Sequence, residues 1–134
     1  MGVYRHLFQC LVFALTAASS MSIHAEWRLL VNTADSAHYY DDQLQKDHEQ
    51  VSFWRMTDFV KPLTNLEGQE VMSEKTRTTV DCKAGKLANS QVTRYAKAGA
   101  KGDVMNHYET PLRFTRIAND GVDAVLFKQI CLNK

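Results

Sequence analysis

The residues best able to do chemistry in this sequence are its three cysteines, Cys10, Cys82 and Cys131. A thiol can form a disulfide, ligate a metal ion or take part in redox exchange. Cys82 and Cys131 lie far apart, belong to no C-x-x-C motif and have no histidine beside them. This spacing favours a disulfide between them over a metal site or a redox pair.

Motifs of known catalytic chemistry are absent from the sequence. It contains no G-x-S-x-G nucleophile elbow, no Walker A loop and no H-E-x-x-H zinc motif. His38, His48 and His107 are isolated in sequence, which favours solvated or capping roles over a shared metal. The adjacent Asp41 and Asp42 are more typical of a turn than of an acid–base pair. We therefore predict a non-enzymatic protein with no metal and no cofactor.

Basic residues are concentrated in one part of the chain. Five of them are candidates for a shared patch: Lys75, Arg77, Arg94, Lys97 and Lys101. Strand alternation puts Lys75 and Arg77 on one face, Arg94 and Lys97 end a neighbouring strand, and a loop brings Lys101 close. They could be solvated surface residues, or they could form a patch for an acidic partner. The patch is the predicted partner-binding site, and no nucleic-acid partner is expected.

Aromatic residues offer a second surface. Six of them could form either a binding face or part of the core: Trp27, Tyr39, Tyr40, Trp54, Tyr95 and Tyr108. Trp54 is predicted to be buried between a sheet and a helix.

The first 25 residues are typical of a secretory signal peptide. Arg5 gives a basic start, residues 7–18 are mostly apolar, and small residues follow. The apolar run is shorter than the roughly 20 residues of a membrane span. Cleavage after Ala25 and cleavage after Ser19 both fit the pattern. A lipoprotein signal needs a small residue before its cysteine. Here the bulky Gln9 precedes Cys10, so a lipoprotein signal is not predicted.

Removing residues 1–25 leaves residues 26–134 as a single predicted domain. Of the 16 basic residues only Arg5 is lost, so 15 remain against 15 acidic residues. Cys10 is lost as well, so Cys82 and Cys131 form an even pair. In an exported protein such a pair predicts a structural disulfide. We expect the protein to be periplasmic or secreted.

The predicted domain consists mainly of β-strands, because its apolar residues alternate with a period of two. In residues 74–82 the side chains of Thr76, Thr78, Val80 and Cys82 share one face. The other predicted strands are residues 27–32, 37–41, 51–59, 87–96, 104–108 and 112–117, with a loop over 60–69.

The period changes near the C-terminus. Val122, Val125, Leu126 and Ile130 are spaced as on one face of an amphipathic helix. Asp120 is the predicted N-cap. The predicted fold class is α+β: a single antiparallel sheet of about six strands, with this helix packed on it and joined by the disulfide.

Short signatures are spread over nearly all of the predicted domain. In chain order they are Trp27, Tyr39-Tyr40-Asp41, Val51-Ser52-Phe53-Trp54, Ser73, Asp81-Cys82, Tyr95 and Cys131 on the final helix. This order resembles the surface-adhesin protein E family of Gram-negative bacteria.

The resemblance implies an antiparallel sheet with a C-terminal helix, a homodimer, and binding to host extracellular-matrix or plasma proteins such as laminin and vitronectin. The sequence leaves one alternative open, namely a soluble periplasmic protein with a small-molecule-binding or envelope-associated role.

Overall fold

The structure, a computed structural model, describes residues 26–133. The signal peptide predicted over residues 1–25 lies outside the described residues, as does Lys134.

Residues 26–133 form eight strands and one short helix. The strands are β1 (Trp27–Asn32), β2 (Ser36–Asp41), β3 (Gln45–Asp47), β4 (Gln50–Thr64), β5 (Glu70–Asp81), β6 (Lys86–Lys97), β7 (Lys101–Glu109) and β8 (Thr115–Arg116). The helix α1 (Val122–Phe127) continues into a π-helical segment, Lys128–Leu132.

All strand pairs are antiparallel, and six strands form a continuous path in the order β1-β2-β4-β5-β6-β7. The short strands β3 and β8 pair with β4 and β6 beside this path. The prediction of a single antiparallel sheet of about six strands with a C-terminal helix is therefore confirmed. β3 was not predicted, because its three residues are all exposed and carry no apolar alternation.

β4 is longer than the sequence predicts, since it continues through the expected loop to Thr64. Its pairing with β5 jumps from Asp58 to Leu63, and Pro62 lies inside this irregularity. Proline has no N–H for a regular ladder but is tolerated at bulges. The proline therefore interrupts the pairing without ending the strand.

The core lies between the helix and one face of the sheet, which we call the helix face. Phe53, Val80 and Leu126 are completely inaccessible to solvent, and Tyr40 and Ile130 complete the centre of the cluster. The opposite side of the sheet is called the open face. Adjacent strand residues alternate between the two faces, so Trp54, next to Phe53, lies on the open face.

Two polar contacts tie the helical segment to the sheet. Arg55 and Asp123 form an ion pair of 3.0 Å, and the Arg55 side chain is only 14% exposed. Gln129 Nε2 donates to Tyr40 Oη at 3.1 Å. These contacts fix the orientation of the helix on the apolar cluster.

The predicted disulfide is present. Cys82 follows β5 directly and is bonded to Cys131 in the π-helical segment. Thr78 and Val80 are buried on the same side of β5, as the alternation predicts. The disulfide therefore joins the end of a central strand to the helical layer.

Two predictions about the helix were wrong. The N-cap is Gly121, with φ 86° and no side-chain cap, rather than Asp120. A positive φ suits glycine because it lacks a Cβ. Val125, expected on the apolar stripe, is 38% exposed, while Ala124 is buried in its place.

Candidate partner-binding face

Three side chains from adjacent strands meet on the open face. Trp54 on β4 pairs with Arg77 on β5, and Lys75 precedes Arg77 by two residues on the same side of β5. Lys75 Nζ is 4.4 Å from the centroid of the Trp54 ring, and Arg77 Cζ is 5.5 Å from it. We call these three residues the cation–Trp cluster.

The ring stabilises both cations through its negative π-face, by about 0.5–1 kcal/mol each at an exposed site. Within residues 26–133 neither Lys75 nor Arg77 forms an ion pair with a carboxylate. Two like charges are thus held over one ring, and neither is paired with a carboxylate. Such an arrangement attracts an anion.

Three arginines of the sheet, Arg28, Arg55 and Arg94, behave differently, because each has a carboxylate partner. Arg28 contacts Asp42 at 2.9 Å. Its hydrogen bond with that carboxylate raises the pKa of Arg28. Arg55 is likewise neutralised by an acidic residue of the helix. The cation–Trp cluster is therefore chemically distinct from these structural ion pairs.

The structure separates the five predicted binding residues. Arg94 pairs across the ladder with Glu74, so it lies on the opposite side of the sheet from Lys75 and Arg77. Its Nε donates to Glu74 Oε2 at 2.8 Å, and this hydrogen bond raises the pKa of Arg94. The guanidinium also lies 5.8 Å from the ring centroid of Tyr108. Arg94 is thus already neutralised and does not join the cation–Trp cluster.

A β-bulge causes this separation. Thr78 pairs with Asn89, but Arg77 pairs with Gln91, so Ser90 is an extra residue in β6. A continuous register would have placed Arg94 opposite Ser73, on the open face. One extra residue reverses the facing of every later side chain.

Lys97 and Lys101 form a third group at the β6–β7 turn. They pair with each other, and both are exposed. The turn is fixed by the buried Ser73, whose Oγ donates to Lys97 O at 2.6 Å and accepts from Ala100 N at 3.0 Å. The five residues therefore occupy three places: Lys75 and Arg77 share the open face, Arg94 lies alone on the other side of the sheet, and Lys97 and Lys101 share the β6–β7 turn.

A shallow cleft of about 450 Å³ opens beside the cation–Trp cluster. Asp41, Gln43, Leu44 and Gln45 also line it. Arg77 Nη2 donates to Gln45 Oε1, so these two side chains are in direct contact. Asp41 is 4% exposed and accepts a hydrogen bond from Gln43 N at 2.9 Å. Cations, amides and one carboxylate therefore line the same depression.

The sequence did not predict Asp41 or Gln45 as members of this site, and it offered Trp54 either for an aromatic binding face or for the core. The prediction that Trp54 is buried between the sheet and the helix was wrong, because Trp54 lies half-buried on the open face beside Lys75 and Arg77. One signal was available, because Cys82 marks the side of β5 that faces the helix. Lys75 and Arg77 have the opposite parity and so must lie on the open face. The position of Trp54 beside them depends on the register between β4 and β5, which the sequence does not supply.

His38 has the most enclosed environment of the three isolated histidines. Its Nε2 lies 2.8 Å from Ser36 Oγ, and its Nδ1 lies 3.3 Å from Thr57 Oγ1. Burial lowers the pKa of His38, as does the nearby positive charge of Arg55, whereas Asp123 raises it. The ring therefore contacts two hydroxyl groups, whereas a Ser-His-Asp triad needs a carboxylate on the second nitrogen.

Across residues 26–133, no group of three or more His, Cys, Asp or Glu side chains is placed to hold a metal ion. No helix in that range is long and apolar enough to cross a membrane.

Comparisons with known proteins agree with the fold. A crystal form II structure of Haemophilus influenzae protein E matches with a TM-score of 0.66 and 15% identity, covering 82% of this chain and 90% of that chain. A structure of protein E from non-typeable Haemophilus influenzae matches with a TM-score of 0.63 and 16% identity, covering 84% and 80%. A search of curated proteins gave no match. The family model for surface-adhesin protein E matches residues 27–132. The chain therefore belongs to the surface-adhesin protein E family.

Proposed function

We propose that this protein is an exported, non-enzymatic adhesin that binds host extracellular-matrix or plasma proteins, such as laminin and vitronectin, through the open face. Family membership supports an adhesin-like role. The observation that carries the proposal is the cation–Trp cluster, in which Lys75 and Arg77 have no carboxylate partner among residues 26–133.

The chemistry of the cluster suits reversible attachment to an acidic protein surface. Arginine can bind a carboxylate through two parallel hydrogen bonds, while lysine acts as a mobile point charge. The ring of Trp54 restricts both side chains, so less conformational freedom is lost on binding. The face is thereby prepared for an anionic partner without an induced rearrangement.

Export fits the rest of the sequence. A signal peptide over residues 1–25 would deliver the chain to an oxidising compartment, where the Cys82–Cys131 disulfide persists. The protein would then act in the periplasm or outside the cell. A homodimer, as the family resemblance implies, would carry two open faces and raise avidity for a large partner.

Replacing Lys75 and Arg77 together with serine is expected to weaken vitronectin binding at least tenfold, measured by surface plasmon resonance. The loss corresponds to about 1.4 kcal/mol or more. Binding by the unaltered protein should weaken as salt rises, since exposed charges are screened beyond about 8 Å at physiological ionic strength. The salt dependence should be smaller in the variant.

The matched control replaces Lys97 and Lys101 with serine, which removes the same net charge from the β6–β7 turn. This variant should bind within about twofold of the parent, because those side chains lie outside the cation–Trp cluster. Melting curves would establish that both variants fold. Equal losses in the two variants would show that net charge, rather than the open-face cluster, governs binding.

A further inference from the structure

We infer that the cleft beside the cation–Trp cluster recognises an acidic saccharide unit, a sugar ring that bears a sulfate or carboxylate group. The inference rests on the proposed function, because it names the chemical group that the open face would contact on a host glycoconjugate. It comes from the combination of side chains in the cleft.

The cationic side of the cleft sets the first requirement. Lys75 and Arg77 both lie within 5.5 Å of the centroid of one ring, that of Trp54. They provide several N–H donors and no acceptor. A ligand group at this end must therefore carry negative charge and accept hydrogen bonds, as sulfate and carboxylate do.

Asp41 and the two glutamines of the cleft set a different requirement. Asp41 is almost fully buried, and its Oδ1 already accepts the Gln43 backbone N–H. An ionised carboxylate only accepts hydrogen bonds, so a ligand at this end must donate. The Gln43 side chain at the rim can donate as well as accept, and the Gln45 side-chain amide can donate while its Oε1 accepts from Arg77. Hydroxyl groups suit this mixture.

An acidic sugar meets both requirements within one ring, because its acid group and its hydroxyls project in different directions. An acidic side chain can also contact the cation–Trp cluster, but it carries no hydroxyl groups to donate to Asp41. The cleft volume of about 450 Å³ also exceeds the needs of a bare inorganic anion.

The chain offers an internal reporter for this site. It contains two tryptophans, Trp27 and Trp54. In a Trp27→Phe variant the remaining indole lies in the cleft, so its fluorescence reports occupancy directly. A heparin-derived tetrasaccharide and a hyaluronan tetrasaccharide supply sulfated and carboxylated rings, maltotetraose supplies neutral rings, and sodium sulfate supplies the ion alone.

We expect at least one acidic tetrasaccharide to give a saturable fluorescence change. Its dissociation constant should be at least tenfold lower than that of maltotetraose or sodium sulfate. A response to heparin fragments alone assigns the sulfate group, and a response to hyaluronan alone assigns the carboxylate. Adding Lys75→Ser and Arg77→Ser should abolish the response. Asp41→Asn, which keeps the side-chain size, should weaken it at least threefold.

Three results would overturn the inference: no response to either acidic saccharide, equal responses to acidic and neutral saccharides, or equal responses to acidic saccharides and sulfate ion.

A vitronectin-binding measurement on the same Trp27→Phe protein distinguishes failure of the saccharide inference from failure of the proposed function. Vitronectin binding that depends on Lys75 and Arg77, without saccharide binding, would leave the adhesin proposal standing. Saccharide binding without vitronectin or laminin binding would contradict the host-protein proposal and keep the saccharide site.

Discussion

Phe53→Ala is expected to lower the free energy of unfolding by about 3–5 kcal/mol, measured by urea denaturation. The Phe53 side chain is completely inaccessible to solvent and contacts the helical layer through the apolar cluster. Removing a buried aromatic ring loses its transfer free energy and leaves a cavity that neighbours fill only in part. A loss of this size is a large fraction of the net stability of a small domain.

The neighbouring residue provides a matched control. Trp54→Ala removes a larger ring, but Trp54 lies half-buried on the open face. We expect a loss of only about 1–2 kcal/mol, in proportion to the area that is buried. If Trp54→Ala cost as much as Phe53→Ala, the assignment of the two faces of β4 would be wrong.

Replacing both Cys82 and Cys131 with serine is expected to destabilise the protein by about 4 kcal/mol. The bond closes a loop with a sequence separation of 49, and the estimate follows from the chain entropy that such a loop removes from the unfolded state. For a domain of this size the melting temperature should fall on the order of 15 °C. Thermal denaturation followed by circular dichroism measures the change.

Reduction of the unaltered protein serves as the control. Its melting temperature should fall by a similar amount, whereas the serine variant should not respond to reductant. The cation–Trp cluster contains neither cysteine, so the folded serine variant should keep its affinity for a partner. A variant that melts like the parent would show that the disulfide contributes nothing to stability.

The fold was predictable because the alternation within strands and the pairing of two distant cysteines indicate the same arrangement. The alternation in residues 74–82 identified the buried side of β5, and the cysteine pair connected that strand to the final helix. The boundaries of β4 were less predictable. Pro62 is a sequence signal for a loop, but the irregular pairing from Asp58 to Leu63 absorbs it.

The binding face was predictable only in part. The parity of Lys75 and Arg77 follows from their own strand, so their shared position could be inferred. The facing of Arg94 depends on the extra residue Ser90 in β6, and nothing in the local sequence marks that bulge. The approach of Trp54 likewise depends on strand register. Features that rest on pairing between strands could not be derived from a single strand's pattern.

The central claim is that a host protein occupies the open face, and lysine footprinting tests it most directly. The folded protein is treated with an amine-reactive reagent, alone and with saturating vitronectin, and the modification rate of each lysine is measured by mass spectrometry. We predict that Lys75 becomes several-fold less reactive, while the exposed Lys128 on the helical layer keeps its rate. Protection of Lys128 with full reactivity at Lys75 would place the partner on the helix side and contradict the account.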